Sequence, residues 1–280
     1  ILRGDEDRTP AGWGYLPVAC HGRSGSIVVS GTDVRRPMGQ SSLPGADAHV
    51  FGASRQLDFA LETGVLVGPG NTPGEGIPVH AARDHLFGMV LVNAWNAHDV
   101  QGYDDRPFGA CPGRNVPTSV SPWVVTLDAL APFMVPGPPQ EPEPLAYLHS
   151  VGDRGYDVHL EGWLQGDRMT APERLCACNV RDVYWDVAQQ VAHHTLNGCP
   201  VRPGDLLASG PISGPAPGAR GSLLELTRRG REPVRLSGGE TRTFLEDGDR
   251  VTMTGWCQGA GFRVGFGELT GRVLPARPPS

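Results

Sequence analysis

Thirty-nine glycines and 27 prolines are scattered through 280 residues, with no repeat period. Proline lacks an amide proton, and glycine loses the most backbone entropy on ordering, so neither suits a helix interior. Punctuation at nearly one residue in four predicts many short strands joined by turns rather than a bundle of long helices. Apolar residues make up 39%, enough for a sizeable core in a chain of 29.8 kDa. The longest apolar runs, such as Met89–Val92, are far too short for a membrane span. No basic segment followed by an apolar stretch opens the chain, so a cytoplasmic protein is expected, without a membrane partner. A net charge of −6 argues against nucleic acid as a partner. All 24 basic side chains are arginine, which excludes a lysine Schiff base or a lysine general base.

Cysteines stand at 20, 111, 176, 178, 199 and 257. Their spacing fits neither a zinc knuckle nor a secreted disulfide framework, so reduced and mostly buried thiols are expected. Alternation predicts a strand over Leu57–Val67, and the apolar run predicts another over Phe87–Trp95. Residues 37–53 read as loop, and the proline-dense Pro136–Pro144 as a linker or surface loop. Apolar residues at helical spacing predict a helix over Val180–Leu196, capped by Asn179 and stopped by Gly198 and Pro200. Ser222–Thr227, Arg250–Thr254, Phe262–Phe266 and Gly271–Leu274 read as strands.

Several segments together resemble the fumarylacetoacetase (fumarylacetoacetate hydrolase) family. They are His21-Gly-Arg23 with Val28-Val-Ser-Gly31, Arg35-Arg-Pro-Met-Gly-Gln40, Phe87-Gly-Met-Val-Leu91 and Val120-Ser-Pro-Trp-Val-Val125. Further along come Asn197-Gly-Cys199, Arg202-Pro-Gly-Asp-Leu-Leu-Ala-Ser-Gly210, Ile212-Ser-Gly-Pro215, Gly255-Trp-Cys-Gln-Gly259 and Gly271-Arg-Val-Leu-Pro275. Their order extends over essentially the whole chain, which resembles the C-terminal two-thirds of a family member. The resemblance implies a mainly β (α+β) fold, a roll of mixed β-sheets with one or two helices. It also implies a single domain over 1–280 that forms a homodimer. The family's small N-terminal domain, an aspartate metal ligand, a tyrosine and the catalytic histidine would all precede Ile1.

The family cleaves a C–C bond in a β-dicarbonyl acid, with Ca²⁺ or Mg²⁺ chelating substrate oxygens. On this resemblance, Glu62 is the retained metal carboxylate, while Ala60 and Ala94 stand where two others are expected. Asp58 and the Asp104–Asp105 pair are weak candidates to substitute. A hard divalent ion needs several oxygens, so the expectation is that no cofactor is required, with Ca or Mg only if substitute ligands exist. Glu225 matches the glutamate that orients the catalytic histidine. His98 replaces a substrate-binding arginine, as a pocket residue and candidate base. Arg3, Gln101, Arg114 and Gly210 match or approximate substrate-binding positions. Cys20 and Asp105 replace tyrosines, and Pro211 replaces a threonine. Cys20 beside His21 and Arg23 reads as a small pocket filler ahead of a thiolate nucleophile.

The leading expectation is an enzyme with a remade pocket acting on a small β-dicarbonyl or oxo-acid substrate without the standard metal. Its chemistry could be cleavage, decarboxylation, dehydration, cyclisation or isomerisation. The alternatives are an ordinary metal-dependent fumarylacetoacetate or acylpyruvate hydrolase, and a non-catalytic family member with a binding or scaffold role.

Overall fold

Strand patterning sets the architecture. In the computed structural model, which describes residues 14–42, 49–104, 113 and 115–278, Arg250–Gln258 alternates strictly between buried and solvent-facing positions, as does His159–Gln165. Such period-two alternation belongs to antiparallel strands with one face on a core. They lie in one sheet of antiparallel strands in the order Glu173–Asn179, His159–Gln165, Arg250–Gln258, Arg263–Leu274, with Val34–Arg35 added in parallel at the edge.

A second sheet holds the more apolar strands. Leu61–Val67 is buried at all but one position. Such a run needs cover on both faces. It lies between Leu86–Ala94 and Leu206–Ala208, and the sheet continues through Thr118–Val120 to a parallel edge strand, Ile27–Val29. Val125–Thr126 also pairs with Leu86–Ala94. Both sheets therefore mix parallel and antiparallel pairs, as expected for a mainly β roll.

The sheets meet through Phe59, Leu61, Leu91, Trp95, Leu160, Met253 and Phe266, all essentially inaccessible. Each such side chain contributes about 1.5–3 kcal/mol by leaving water. Trp95 keeps its indole N–H satisfied on Ser119 Oγ at 2.9 Å. Gly255 allows the closest approach, since a Cβ there would sit 2.7 Å from Leu91 Cδ2 and 3.1 Å from Leu160 Cδ2.

Four short α-helices stand among the described residues, rather than one or two: α1 (His98–Asp104), α2 (Leu127–Leu130), α3 (Val187–Thr195) and α4 (Leu223–Leu226). Other sequence expectations also change. The helix over 180–196 is shorter, because Asp186 and Gln189 form a reciprocal capping box that starts α3 at Val187. Asn179 instead caps a single 3₁₀ turn, Val180–Asp182. The stretch 37–53 contains two paired strands, Met38–Ser42 and His49–Ala53. The strand over 57–67 is split, with Leu57–Asp58 pairing Asn96–Ala97 and Leu61–Val67 starting the long run. The 136–144 stretch is tied down by Gln140, whose amide donates to Tyr184 O and Gln189 Oε1. Of the described cysteines, 176, 178 and 257 are buried and 20 and 199 exposed, all as free thiols.

Candidate active site

The break between Leu57–Asp58 and Leu61–Val67 shapes the candidate site. Leu57–Asp58 and Leu61–Val67 are separated by Phe59 and Ala60, and segment 209–222 runs beside that break. Ser209 N donates to Thr63 O, Ile212 N to Leu61 O, and Leu61 N to Gly221 O. Ala60 makes an isolated bridge to Ser222. The sites of Glu62, Gly210, Ser213 and Glu225 are thus fixed by one backbone ladder.

Glu62 is buried, and its Oε2 accepts the Gly210 N–H at 3.0 Å. Gly210 has φ +76°, a left-handed conformation that glycine adopts without a Cβ penalty. Loss of hydration outweighs this hydrogen bond and pushes the Glu62 carboxyl up to about 8. A carboxylate oxygen is the donor type that a hard divalent ion takes, and Glu62 supplies one such group here. Ala60 donates its N–H to Asn93 Oδ1 at 3.0 Å and, like Ala94, has no side-chain donor. No cluster of three or more acidic, histidine or cysteine ligands occurs among the described residues.

Glu225 lies on a helix, not on the expected strand. Leu223–Leu226 forms α4, and Ser222 is its N-cap, accepting the Glu225 N–H at 3.3 Å. The Ser222–Glu225 spacing is a capping signature that an apolar Leu-Leu-Glu-Leu run disguises. Glu225 Oε2 accepts from Ser213 Oγ at 2.8 Å and Ser222 Oγ at 3.3 Å. Both bonds fall on one oxygen, Oε2.

The first two amides of α4 are satisfied by Asp58, which the sequence offers only as a weak substitute metal ligand. Asp58, fully buried, accepts Leu223 N–H on Oδ1 at 2.8 Å and Leu224 N–H on Oδ2 at 2.7 Å. It also accepts its neighbour Phe59 N–H on Oδ1. His98 Nε2 lies 3.1 Å from Asp58 Oδ2. An aspartate that accepts on both oxygens assigns the Nε2 proton to histidine. Phe244 lies beside the imidazole, with ring centroids 6.1 Å apart. No sequence signal marks Asp58 for this role, because its partners are backbone amides 165 and 166 residues away.

Gln101 lies on α1, three residues after His98 and part-buried. Cys20 is exposed, ahead of Ile27–Val29. Arg3, Asp105 and Arg114 lie outside the described residues. No helix among the described residues is long and apolar enough to cross a membrane.

The family model for fumarylacetoacetate hydrolase C-terminal matches residues 5–274. Fumarylacetoacetases from Rattus norvegicus and Homo sapiens are each 49% identical over 280 residues, covering 100% of this chain and 67% of theirs. That of Arabidopsis thaliana is 48% identical over 278 residues, covering 99% of this chain and 66% of its own. Among solved structures, a fumarylacetoacetate hydrolase from Exiguobacterium antarcticum aligns with TM-score 0.51 at 19% identity, covering 90% of this chain and 64% of that one. A probable 2-hydroxyhepta-2,4-diene-1,7-dioate isomerase from Mycobacterium abscessus aligns with TM-score 0.55 at 16% identity, covering 95% and 74%. At such identity these two establish the fold alone. The kinship corrects the expectation that no cofactor is required, since the 49% identical relatives are fumarylacetoacetases, which depend on Ca or Mg. The family match across 5–274 and the near half-identity over the whole chain make this protein a member of the fumarylacetoacetase family.

Proposed function

We propose that the protein hydrolyses the C–C bond of a β-dicarbonyl acid of the fumarylacetoacetate or acylpyruvate type. The observation that carries this reading is the single ladder that joins Glu62 to Gly210 and Glu225 to Ser213, in a chain 49% identical to fumarylacetoacetases.

Glu62 is the described residue suited to hold Ca²⁺ or Mg²⁺, and such an ion, when bound, supplies charge that polarises the substrate carbonyls. The protein's own groups do the rest. Glu225, anchored through Oε2, offers Oε1 to draw a proton from the attacking water, directly or through a base seated against it. The resulting hydroxide adds to the ketone carbon, the adjacent C–C bond breaks, and its electron pair leaves with the methylene carbon. A returning proton quenches that carbanion, so one water is consumed and two carboxylic acids leave. Fixed donors stabilise the departing enolate, and Gln101 is the described candidate.

His98 favours a second reading of substrate choice. With Nε2 engaged by Asp58, His98 offers no fork of donors to a substrate acid. An arginine at this place would offer a fork of donors. A smaller or less acidic β-dicarbonyl substrate than fumarylacetoacetate fits this change.

The test is cleavage of fumarylacetoacetate and a series of acylpyruvates with saturating Ca²⁺ or Mg²⁺, followed by loss of the diketone absorbance. Chelation should abolish turnover, and Glu225→Gln should lower kcat by about 10²–10⁴-fold. Full turnover in chelator, or no cleavage of any member of the series with metal present, would overturn the reading.

A further inference from the structure

Helix α4 is only four residues long. One turn fixes several dihedrals for a single internal hydrogen bond, so it does not persist unaided. Its amides are held from outside: Ser222 takes Glu225 N–H, while Asp58 takes Leu223 N–H and Leu224 N–H. The same Asp58 oxygen that holds Leu224 receives His98 Nε2. A continuous chain of contacts therefore runs from His98 on α1, through Asp58, to the helix that carries Glu225.

We infer that His98 and Asp58 are positioning residues that set the placement of Glu225 for proton transfer, with His98 acting through Asp58 rather than on the substrate. The inference rests on the reading of Glu225 given above. Asp58 has four donors on two oxygens, and each limits where the carboxylate can go. His98 is the one of these donors that comes from α1. It ties the carboxylate that holds the α4 amides to a second element. Without it, Asp58 is free to follow α4, and Glu225 Oε1 loses its fixed distance to the water. Misplacement of a reacting group by a fraction of an ångström lowers the rate while leaving substrate affinity largely intact.

The test combines kinetics with amide exchange on the full protein, using fumarylacetoacetate or the best acylpyruvate as substrate. His98→Ala should lower kcat by roughly tenfold to a hundredfold, with KM changed by less than about threefold. His98→Asn, which can still donate to Asp58, should recover most of that loss. In a Glu225→Gln background, His98→Ala should cost little more, because the two act through one group. Independently of turnover, His98→Ala should speed deuterium exchange at the Leu223 and Leu224 amides, with His98→Asn close to the parent protein.

A rise in KM with unchanged kcat would overturn the inference and make His98 a substrate-binding group. Additive losses in the double variant, or unchanged exchange at Leu223 and Leu224, would also overturn it. Full activity of Glu225→Gln would remove the functional reading instead, and the exchange arm would still report whether His98 holds α4 through Asp58.

Discussion

Glu62 Oε2 accepts the N–H of Gly210 at 3.0 Å, inside a strand segment with almost no water. One backbone hydrogen bond does not replace lost hydration, and the carboxyl is pushed up to about 8. A carboxyl in an unfolded chain releases its proton near 4.5. Below that pH both states hold the proton and Glu62 has no effect. Between about 4.5 and 8 the folded state retains a proton that the unfolded state has lost. Stability must therefore fall as pH rises through this window and level off above it. Glu62→Gln, a permanent mimic of the protonated acid, should flatten that slope. Urea midpoints at pH 5 and pH 8 in chelator would measure it. Saturating Ca²⁺ should reverse the slope for the parent protein only, because binding displaces the proton. Parallel pH profiles for parent and variant would contradict this account.

Asp58 is a hub for buried donors, and removing it should be costly. Asp58→Ala leaves the Leu223 and Leu224 amides and the His98 ring nitrogen without their acceptor. The expected loss is about 3 kcal/mol or more, since each unsatisfied buried donor costs about 1–3 kcal/mol. Asp58→Asn keeps an acceptor oxygen and should lose clearly less. Denaturant unfolding would rank the two, and equal losses would mean that the acceptor role is unimportant.

Arg242 tests a different buried charge. Its guanidinium meets Asp249 Oδ1 and Oδ2 at 2.9 Å each and Glu240 Oε2 at 2.7 Å. All three side chains are nearly inaccessible, at 4%, 1% and 7%. Arg242→Met leaves two buried carboxylates without their cation, and about 3–5 kcal/mol of stability should be lost. A triple variant that also replaces Asp249 and Glu240 with apolar groups should regain much of it. Thermal unfolding at neutral pH distinguishes the two outcomes.

The sequence made some of this legible and concealed the rest for definite reasons. Alternation around Met253 and Leu160 is visible in the chain, because half-buried antiparallel strands impose it. The family motifs single out Glu62, Gly210 and Glu225, and the structure pairs Glu62 with Gly210 and Glu225 with Ser213. Helix α4 reads as a strand in sequence because four residues are too few to express a helical period, and the Ser222–Glu225 spacing is the signal that marks it. The pair Met38–Ser42 and His49–Ala53 was hidden by Pro37, Gly39 and Gly52, which read as loop punctuation. The amide-holding role of Asp58 has no sequence signal, since its partners are backbone amides far along the chain. The cofactor expectation erred by counting side-chain carboxylates within the chain and treating their number as decisive.

The contact between the two sheets supplies the last prediction. Gly255 and Leu91 face each other across the core, with Leu91 and Leu160 both fully buried. A methyl group on residue 255 would lie 2.7 Å from Leu91 Cδ2, well inside van der Waals contact. Neither leucine can swing into solvent, so relief requires a change of rotamer or a shift of the sheets. Gly255→Ala should therefore destabilise by about 1–3 kcal/mol, despite alanine being the better residue for an ordinary strand. Leu91→Ala alone should cost about 2–5 kcal/mol through the cavity it leaves. The pair is close enough to couple, and the added methyl partly fills that cavity. The double variant should consequently be more stable than the sum of the single losses, by an interaction energy of about 1 kcal/mol. Equilibrium urea unfolding of all four proteins closes the cycle. Strict additivity would mean that the sheets separate at Gly255 with no resistance from Leu91.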